Sequence, residues 1–476
     1  MPLPPKVYTW LCGLFASLGS IIFGYDLGVI AGVLPAKDFI LSFVFLPPEI
    51  DFKRLSFAGM FPVAYLADKL GRRKTIQFGA AVYVVGGALQ TAAHNMDLML
   101  AGRFFAGFGV GIVSDLAPLY QAEIAHPSIR GRLTTLQQFM LGIGAFLASW
   151  ITFGCSAGLA GSQAEWRVPL GIQIIPAIPL ISFIMLLPES PRWLAEKGRM
   201  EEARATLARL HAHGDINDKF VLSQVEDIRA DIYKARDIGK SSWSELFTVP
   251  SNFRRLSLGY ILQFSVQMTG VSAIQYYSTT IFVTMGFTSS RILLFQSINS
   301  IIALIGEACC VMWIDHIGRR RPLIVGNVVS GLSFCVGALL MARWPGTVHK
   351  TWVFNFFFSA CIGPLSWAYP AEIFSTRTRA KSTAITSSSS WISNFFIAQV
   401  TPIAFGNIGW KYYLVFAICG HTNALFIWSF FPETAGRRLE EMDALFTDSP
   451  VFVARTKYAK VGDHRAAEKE LREGTN

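Results

Sequence analysis

Long apolar runs joined by short polar connections occupy most of this chain. Most of the runs hold about 20 residues, the length that an α-helix needs to cross the hydrocarbon core of a bilayer. They cover residues 10–34, 76–93, 98–119, 133–153, 168–187, 256–285, 292–314, 322–341, 352–374, 382–405 and 412–431. This pattern predicts an all-α membrane protein whose helices span the bilayer.

A further span is expected between the first two of these runs, where the sequence is short of apolar residues. The best candidate, residues 55–67, holds 13 residues and includes Pro62, which is less than a bilayer span needs. With this segment the pattern predicts twelve transmembrane helices, the second of them shortened. A deletion, a splice form and a gene-model error would each produce such a gap.

The composition and the placement of charges support the membrane assignment. Hydrophobic residues make up 52% of the 476 residues and charged residues 16%, against about a quarter charged in a typical soluble domain. The net charge of +10 comes from connections that would share one side of the membrane, such as 72–74 and 319–321, while opposite connections such as 405–411 are nearly uncharged. This asymmetry follows the positive-inside rule. It predicts cytoplasmic termini and argues against a nucleic-acid partner.

Three short motifs occur twice, in the same order and at nearly the same separation. The pairs are Asp68-x-x-Gly71-Arg72-Arg73 with Asp315-x-x-Gly318-Arg319-Arg320, Glu123 and Arg130 with Glu372 and Arg379, and Pro188-Glu189-Ser190 with Pro432-Glu433-Thr434. Such a repeat predicts two pseudo-symmetric six-helix bundles, the architecture of alternating-access transporters. The predicted limits are 1–188 and 256–432 for the bundles, 189–255 for a cytoplasmic linker with short amphipathic helices, and 433–476 for a cytoplasmic tail.

The repeated charges have an electrostatic interpretation. Arginines in the tight turns can pair with glutamates at helix ends and clamp the cytoplasmic side of each bundle. Simple solvation is the alternative for any single charge, and the paired recurrence favours a gate. The predicted cytoplasmic gate comprises Asp68, Gly71, Arg72, Arg73, Glu123, Arg130, Glu189, Arg192, Asp315, Gly318, Arg319, Arg320, Glu372, Arg379 and Glu433.

Asp26 is the one charged residue in the first apolar run. An ionised carboxyl in hydrocarbon costs about 2.5 kcal/mol or more at the bilayer centre, so Asp26 needs a partner, a water-filled cavity or a proton. Arg103, deep inside the run 98–119, is the basic residue available for such a pair. Asp115 and Glu307 are further acids inside apolar runs, and the sequence assigns them no role.

Several stretches resemble the sugar porters, a branch of the major facilitator superfamily. They are Phe23-Gly24-Tyr25-Asp26, Gly102-Arg103 with Pro118-x-Tyr120-x-x-Glu123, Pro188-Glu189-Ser190-Pro191-Arg192, and Pro432-Glu433-Thr434-x-Gly436. The sequence around Val266 and Ser272 is similar to fungal members of the family. The resemblance implies a fungal-type transporter that takes up a monosaccharide, either a hexose or a pentose, by alternating access.

The resemblance also implies residues that contact the sugar. A sugar site needs amide side chains, which both donate and accept hydrogen bonds, together with aromatic faces. The candidate substrate-binding residues are Phe23, Gln138, Gln267, Ser272, Gln275, Tyr276, Asn299, Trp367, Trp391 and Asn394. Ser272 departs from the family's amide, Gln275 would supply one a turn further on, and Asn299 lies about one turn from the family's asparagine. A polyol or another small hydroxylated solute therefore stays open.

Asp26 and Arg103 correspond to an acid–base pair that looks like the proton switch of family symporters. Pairing with a movable arginine favours the ionised carboxyl, and separation favours the protonated one. The proton is therefore the expected coupling ion. Facilitated diffusion is the alternative mechanism, and a non-transporting sugar sensor or an inactive splice product with a truncated second helix are alternative functions.

The sequence offers no support for enzymatic chemistry. It contains no nucleophile–base motif, Gly-rich phosphate loop or metal-ligand spacing, and its seven cysteines lie in or beside apolar runs without a CxxC pair. We therefore expect no enzymatic activity, no catalytic residue, no metal and no cofactor. We expect a functional monomer in the plasma membrane, whose partners are the lipid bilayer and a small sugar or polyol.

Overall fold

The computed structural model of the chain describes residues 4–33, 38–39, 66–126, 129–237, 243–275, 289–343, 351–375, 378–435 and 441–454. The helices in these ranges are α1 Pro5–Ala16, α2 Leu18–Val33, α3 Arg72–Thr91, α4 Met96–Ile124, α5 Arg130–Gly158, α6 Ala164–Ile172, α7 Ala177–Phe183, α8 Pro191–Glu196, α9 Met200–His211, α10 Lys219–Asp237, α11 Glu245–Thr248, α12 Pro250–Met268, α13 Ser289–Ile317, α14 Arg320–Arg343, α15 Thr351–Phe357, α16 Gly363–Ile373, α17 Arg379–Ile408, α18 Tyr412–Phe430 and α19 Glu441–Asp448. A π-helical segment, Phe358–Ile362, joins α15 to α16. The described residues confirm the predicted all-α class.

Seven stretches of the described residues are long and apolar enough to cross a membrane, judged by length and composition. They are Val7–Ile30, Met96–Ile124, Thr135–Gly158, Ala164–Leu186, Arg291–Ile314, Arg320–Arg343 and Lys381–Phe430. The predicted short second span, 55–67, lies outside the described residues except for its last two positions.

The backbone interrupts three of the predicted runs. The run 10–34 divides at Ser17, whose hydroxyl donates to the Gly13 carbonyl oxygen (2.7 Å), a bond that bends helices. The run 168–187 divides into α6 and α7 before Pro176, since proline lacks the N–H that a continuous helix uses. In the run 256–285, α12 ends at Met268 and Gly270 follows with a φ of 89°.

The chain forms two compact units. The first contains Met1–Ser241 and Gln275–Leu304, and the second contains Ser242–Ile274 and Ile305–Asn476. The predicted bundle, linker and tail limits (1–188, 189–255, 256–432 and 433–476) stay a prediction.

The predicted tail contributes to the second unit. Arg254 at the start of α12 donates to the carbonyl oxygens of Ser449 (2.8 Å) and Pro450 (2.7 Å). The Val453 N–H donates to the Ser429 carbonyl oxygen (2.8 Å), one of the orphan acceptors at the end of a helix. The segment after α19 thereby joins the ends of α12 and α18.

Glycines let helices of the first unit approach to backbone contact. A Cβ added at Gly24 of α2 would lie 1.9 Å from the Leu141 carbonyl oxygen of α5, and one at Gly144 would lie 2.3 Å from the Ile21 carbonyl oxygen. Small residues are the usual means by which membrane helices pack this closely. The reciprocal contact places α2, which carries Asp26, directly against α5.

Replacing Gly144 by alanine should lower the unfolding temperature of the detergent-purified protein, because the new methyl group must displace the α2 backbone. Overpacking of this kind costs about 1–3 kcal/mol. Gly154→Ala in the same helix is the matched control, since a Cβ there meets no atom within 4 Å. Scanning fluorimetry that gives the two variants the same unfolding temperature would contradict this packing.

Candidate functional site

The two intramembrane charges of the first unit contact each other. Asp26 on α2 is 1% exposed and Arg103 on α4 is 5% exposed. Arg103 Nη1 donates to Asp26 Oδ1 at 3.4 Å. Asp26 Oδ2 accepts no hydrogen bond from the described part of the chain. Within the described residues, the carboxylate is therefore hydrogen-bonded through one of its two oxygens.

Tyr83, which lies near this pair, and its hydrogen-bond partner Gln173 escaped the sequence prediction. Tyr83 on α3 interacts electrostatically with Asp26 and Arg103, and its Oη donates to Gln173 Oε1 at 3.4 Å. Both side chains are fully buried. The sequence indicates these two residues only as uncharged polar residues inside apolar runs. Such residues are common, and it is the packing of the helices that brings these two together.

Four side chains of the second unit form a connected polar cluster. Gln267 on α12 donates from Nε2 to Ser390 Oγ (3.0 Å) and accepts at Oε1 from the Ser272 hydroxyl. Asn394 on α17 donates from Nδ2 to Gln267 Oε1 (3.2 Å) and to Ser272 Oγ (2.9 Å). The left-handed Gly270 turns the chain so that Ser272 lies beside Gln267. Three of these four residues were predicted substrate contacts; the fourth, Ser390, ends a run of four serines and was not predicted.

The other predicted substrate contacts are distributed over the two units. Phe23, Gln138, Asn299 and Gln275 belong to the first, while Trp367 and Trp391 belong to the second. Trp391 is 7% exposed and Phe23 8%, whereas Gln275 is exposed. The exposed Gln275 side chain adds no buried amide to the second unit, and its role as a substrate contact stays a prediction. Tyr276 lies outside the described residues.

Charged residues of the predicted gate contact one another in the first unit. Arg72 at the start of α3 donates to Glu123 from Nε (3.0 Å) and from Nη2 (2.9 Å), and both side chains are largely buried. Glu189 accepts from the Arg72 backbone N–H (3.1 Å) and lies 3.4 Å from Arg73 Nε. Gly71 has a φ of 88°, and a Cβ there would lie 2.7 Å from the Glu189 carboxylate.

The second unit repeats this arrangement. Arg319 Nη2 lies 2.8 Å from Glu372 Oε1, and Glu433 accepts from the backbone N–H groups of Arg319 (2.9 Å) and Arg320 (3.0 Å). Gly318 has a φ of 90°. Thr434, which belongs to the repeated motif but not to the predicted gate, donates from Oγ1 to Glu372 Oε2 (2.7 Å).

The other predicted gate residues and the two unassigned intramembrane acids differ in their exposure and in their contacts. Asp68 is exposed, with its carboxylate 4.0 Å from Arg72, and Arg192 is half-buried. Arg379 donates from Nη2 to the Phe374 carbonyl oxygen at 3.1 Å. The side chains of Arg130 and Asp315 lie outside the described part of the chain. Of the two unassigned acids, Glu307 is 4% exposed and Asp115 is half-buried.

A model of the family described as sugar (and other) transporter matches residues 12–446. The chain belongs to this family. The transporter is 33% identical to the Aspergillus flavus protein named MFS glucose transporter mfs1, over 98% of its own length and 95% of the relative's. It is 30% identical to a quinate permease of Neurospora africana, over 95% and 92%, and 28% identical to a high-affinity glucose transporter of Kluyveromyces lactis, over 94% and 86%.

Solved structures show the fold. The proton:xylose symporter XylE bound to 6-bromo-6-deoxy-D-glucose superposes with a TM-score of 0.83 at 24% identity, over 93% of this transporter and 100% of that chain. The inward-open form of XylE from E. coli gives 0.70, over 92% and 99%. This transporter is thus a multi-pass membrane protein with the major facilitator fold. Its relatives are transporters, which confirms that it is not an enzyme.

Arg319→Gln should destabilise the transporter because it leaves the Glu372 carboxylate buried without its cation. Removing one member of a buried pair costs about 3–5 kcal/mol. The control is Arg199→Gln, since Arg199 and Glu202 are each about half exposed and such surface pairs contribute little. Thermal unfolding in detergent should fall for the first variant and stay unchanged for the second. Equal decreases in the unfolding temperatures of the two variants would show that the buried Arg319–Glu372 pair stabilises the protein no more than the surface pair does.

Proposed function

We propose that this transporter carries a monosaccharide across the plasma membrane by proton symport, with Asp26 as the proton-binding group. The observation that carries the proposal is the buried Asp26–Arg103 contact, in which one carboxylate oxygen meets the guanidinium and the other meets no described donor. A fully satisfied salt bridge would resist protonation. This half-satisfied one leaves an oxygen where a proton can bind.

The coupling follows from what the arginine does to the carboxylate. While Arg103 stays within hydrogen-bond distance, the ionised form of Asp26 is favoured; when Arg103 moves away, burial favours the neutral form. An unpaired charge in the bilayer costs about 2.5 kcal/mol or more. A helix movement that separates the two residues therefore requires a proton, and proton binding permits the movement.

The sugar-binding role falls to the polar cluster of Gln267, Ser272, Ser390 and Asn394. Amide and hydroxyl groups donate and accept hydrogen bonds together, as the adjacent hydroxyls of a sugar require. The Asn394 Oδ1 atom accepts no hydrogen bond within the described residues, so it can receive one from a substrate hydroxyl. Buried Trp391 follows Ser390 in α17 and can supply an apolar face. Relatives named for glucose, xylose and quinate transport suit a small polyhydroxylated substrate.

The charge clusters of the two units act as the cytoplasmic gate. Arg72 with Glu123, and Arg319 with Glu372, hold the ends of neighbouring helices through paired, charge-assisted hydrogen bonds. Such contacts stabilise one arrangement of packed helices and must be released in the other. They serve a facilitative uniporter equally well, so the proton dependence of uptake decides between the two mechanisms.

Asp26→Asn should abolish accumulation of the sugar against a gradient while preserving exchange of labelled for unlabelled sugar, because asparagine fills the site but cannot take up a proton. Uptake of radiolabelled glucose and xylose is measured in hexose-transporter-null yeast with and without a protonophore. Asp97→Asn is the matched control, an exposed carboxyl in the first turn of α4. If Asp26→Asn accumulates sugar to the parental level, Asp26 does not couple proton binding to transport. If uptake by the parent is insensitive to the protonophore, the protein is a facilitator.

Asn394→Ala should raise the KM for the sugar about fivefold, equivalent to about 1 kcal/mol for one lost hydrogen bond, and leave the accumulation ratio at saturating sugar unchanged. Asn423→Ala in the same unit is the control, since that half-buried amide donates to the Ser265 carbonyl oxygen (3.1 Å) outside the cluster. Initial uptake rates over a range of sugar concentrations give both values. An unchanged KM for Asn394→Ala would remove the cluster from the substrate site.

A further inference from the structure

The last turn of α4 makes a contact that its repeat in the second unit lacks. In both units a tyrosine Oη donates to a prolyl carbonyl oxygen, Tyr120 to Pro188 (2.7 Å) and Tyr369 to Pro432 (3.0 Å). The next residue differs, because Gln121 in the first unit corresponds to Pro370 in the second. The difference is confined to the unit that carries Asp26.

Gln121 joins α4 to the break between α1 and α2. Its Nε2 donates to the Gly13 carbonyl oxygen (2.8 Å) and to Ser17 Oγ (2.6 Å). Both Gln121 and Ser17 are fully buried. The Gly13 carbonyl oxygen also accepts from the Ser17 hydroxyl and backbone N–H. Side chains that bond into the backbone ladder in this way mark a bend in a helix.

Both described hydrogen bonds of the Gln121 carboxamide are donated by its Nε2 group. Gln121 Oε1 accepts no hydrogen bond from any residue that the structure describes. Buried acceptors left unsatisfied are rare in native proteins. The described contacts of the Gln121 side chain are therefore those that its N–H groups make.

Helix α4 is consequently tied at two points, to Ser17 immediately before α2 and to Asp26 within α2. Ser17 meets Gln121 at one point and Asp26 meets Arg103 at the other. Ser17 and Asp26 are nine positions apart, about 14 Å at the helical rise. Two such ties determine how far α2 slides or rotates along α4, so the Gln121 bridge constrains the distance from Asp26 to Arg103.

The other groups around Asp26 come from three neighbouring helices. Tyr83 of α3 lies within electrostatic range of both members of the pair. Tyr25, next in sequence to Asp26, donates to the Pro169 carbonyl oxygen of α6 (3.0 Å). The α5 surface opposite Gly24 is the backbone of Leu141. Among the groups named here, Arg103 of α4 carries the positive charge.

We propose that Gln121 is a positioning residue for the proton-binding pair. Its carboxamide holds α2 against α4 so that Arg103 stays on Asp26, and it transmits movement of the Glu123 end of α4 to the helix that carries Asp26. Glu123 lies two residues beyond Gln121 and pairs with Arg72, so release of that pair frees the bridge. The inference rests on the proposed proton coupling.

Gln121→Leu and Ser17→Ala test the bridge from its two sides. Gln77→Leu is the matched control, because Gln77 Nε2 makes an amide-to-carbonyl contact with Ile181 (2.8 Å) in the same unit that does not involve α2. Yeast expressing each variant are assayed for surface protein, for sugar uptake as a function of external pH, and for accumulation with and without a protonophore.

The bridge variants should shift the pH of half-maximal uptake upward by about half a unit or more, since a loosened ion pair favours the protonated carboxyl. Protonophore-sensitive accumulation should fall several-fold, and Gln77→Leu should keep the parental pH profile. A residue that only stabilises the fold would change the amount of surface protein and leave the pH profile in place. Should Gln121→Leu fail to reach the surface, Ser17→Ala decides, because it removes only one hydroxyl.

Parental pH profiles for both bridge variants, or an equal shift in Gln77→Leu, would overturn the positioning role. These outcomes leave proton coupling intact if the parent still accumulates sugar in a protonophore-sensitive manner. A parent that shows no such accumulation would overturn the proposed symport first, and the positioning role with it.

Discussion

The cost of burying charge in a low-dielectric interior is the constraint on which this structure depends. Asp26 with Arg103, Arg72 with Glu123, and Arg319 with Glu372 each join two different helices. The desolvation of such groups is offset only when the partner is well aligned. The ion pairs therefore dictate the mutual positions of their helices. The same property makes them suitable for switching, since a helix movement that breaks a pair must supply a proton or a new partner.

Both units use a glycine and a glutamate to stabilise the start of a helix. The remaining differences between the units indicate that they have different roles. Each has a left-handed glycine beneath a glutamate, at Gly71 and at Gly318, and each glutamate accepts backbone N–H groups at the start of a helix. The first unit adds an intramembrane acid–base pair. The second adds an amide and hydroxyl cluster on α12 and α17. In our proposal the proton binds in one repeat and polar groups of the other hold the sugar.

Backbone irregularities occur on the helices that carry the residues to which we assign function. The helix break at Ser17 precedes Asp26 by about 14 Å of helix, and the turn at Gly270 brings Ser272 beside Gln267. A regular helix offers its side chains at a fixed period. Only a break lets residues five apart, such as 267 and 272, share one hydrogen-bonded cluster. These interruptions are therefore part of how the sites are built.

The sequence alone determined the membrane class, the repeat, the intramembrane acid and the pairing of the repeated arginines with glutamates, because apolar length, periodicity and the cost of an isolated charge are local properties. It did not predict that Tyr83 and Gln173 accompany the acid–base pair, that Ser390 completes the amide cluster, or that Gln275 is exposed. Those outcomes depend on helix rotation and on where the backbone breaks. Contacts between residues as far apart as 83 and 173, or 267 and 390, decide both, so only the tertiary structure could reveal them.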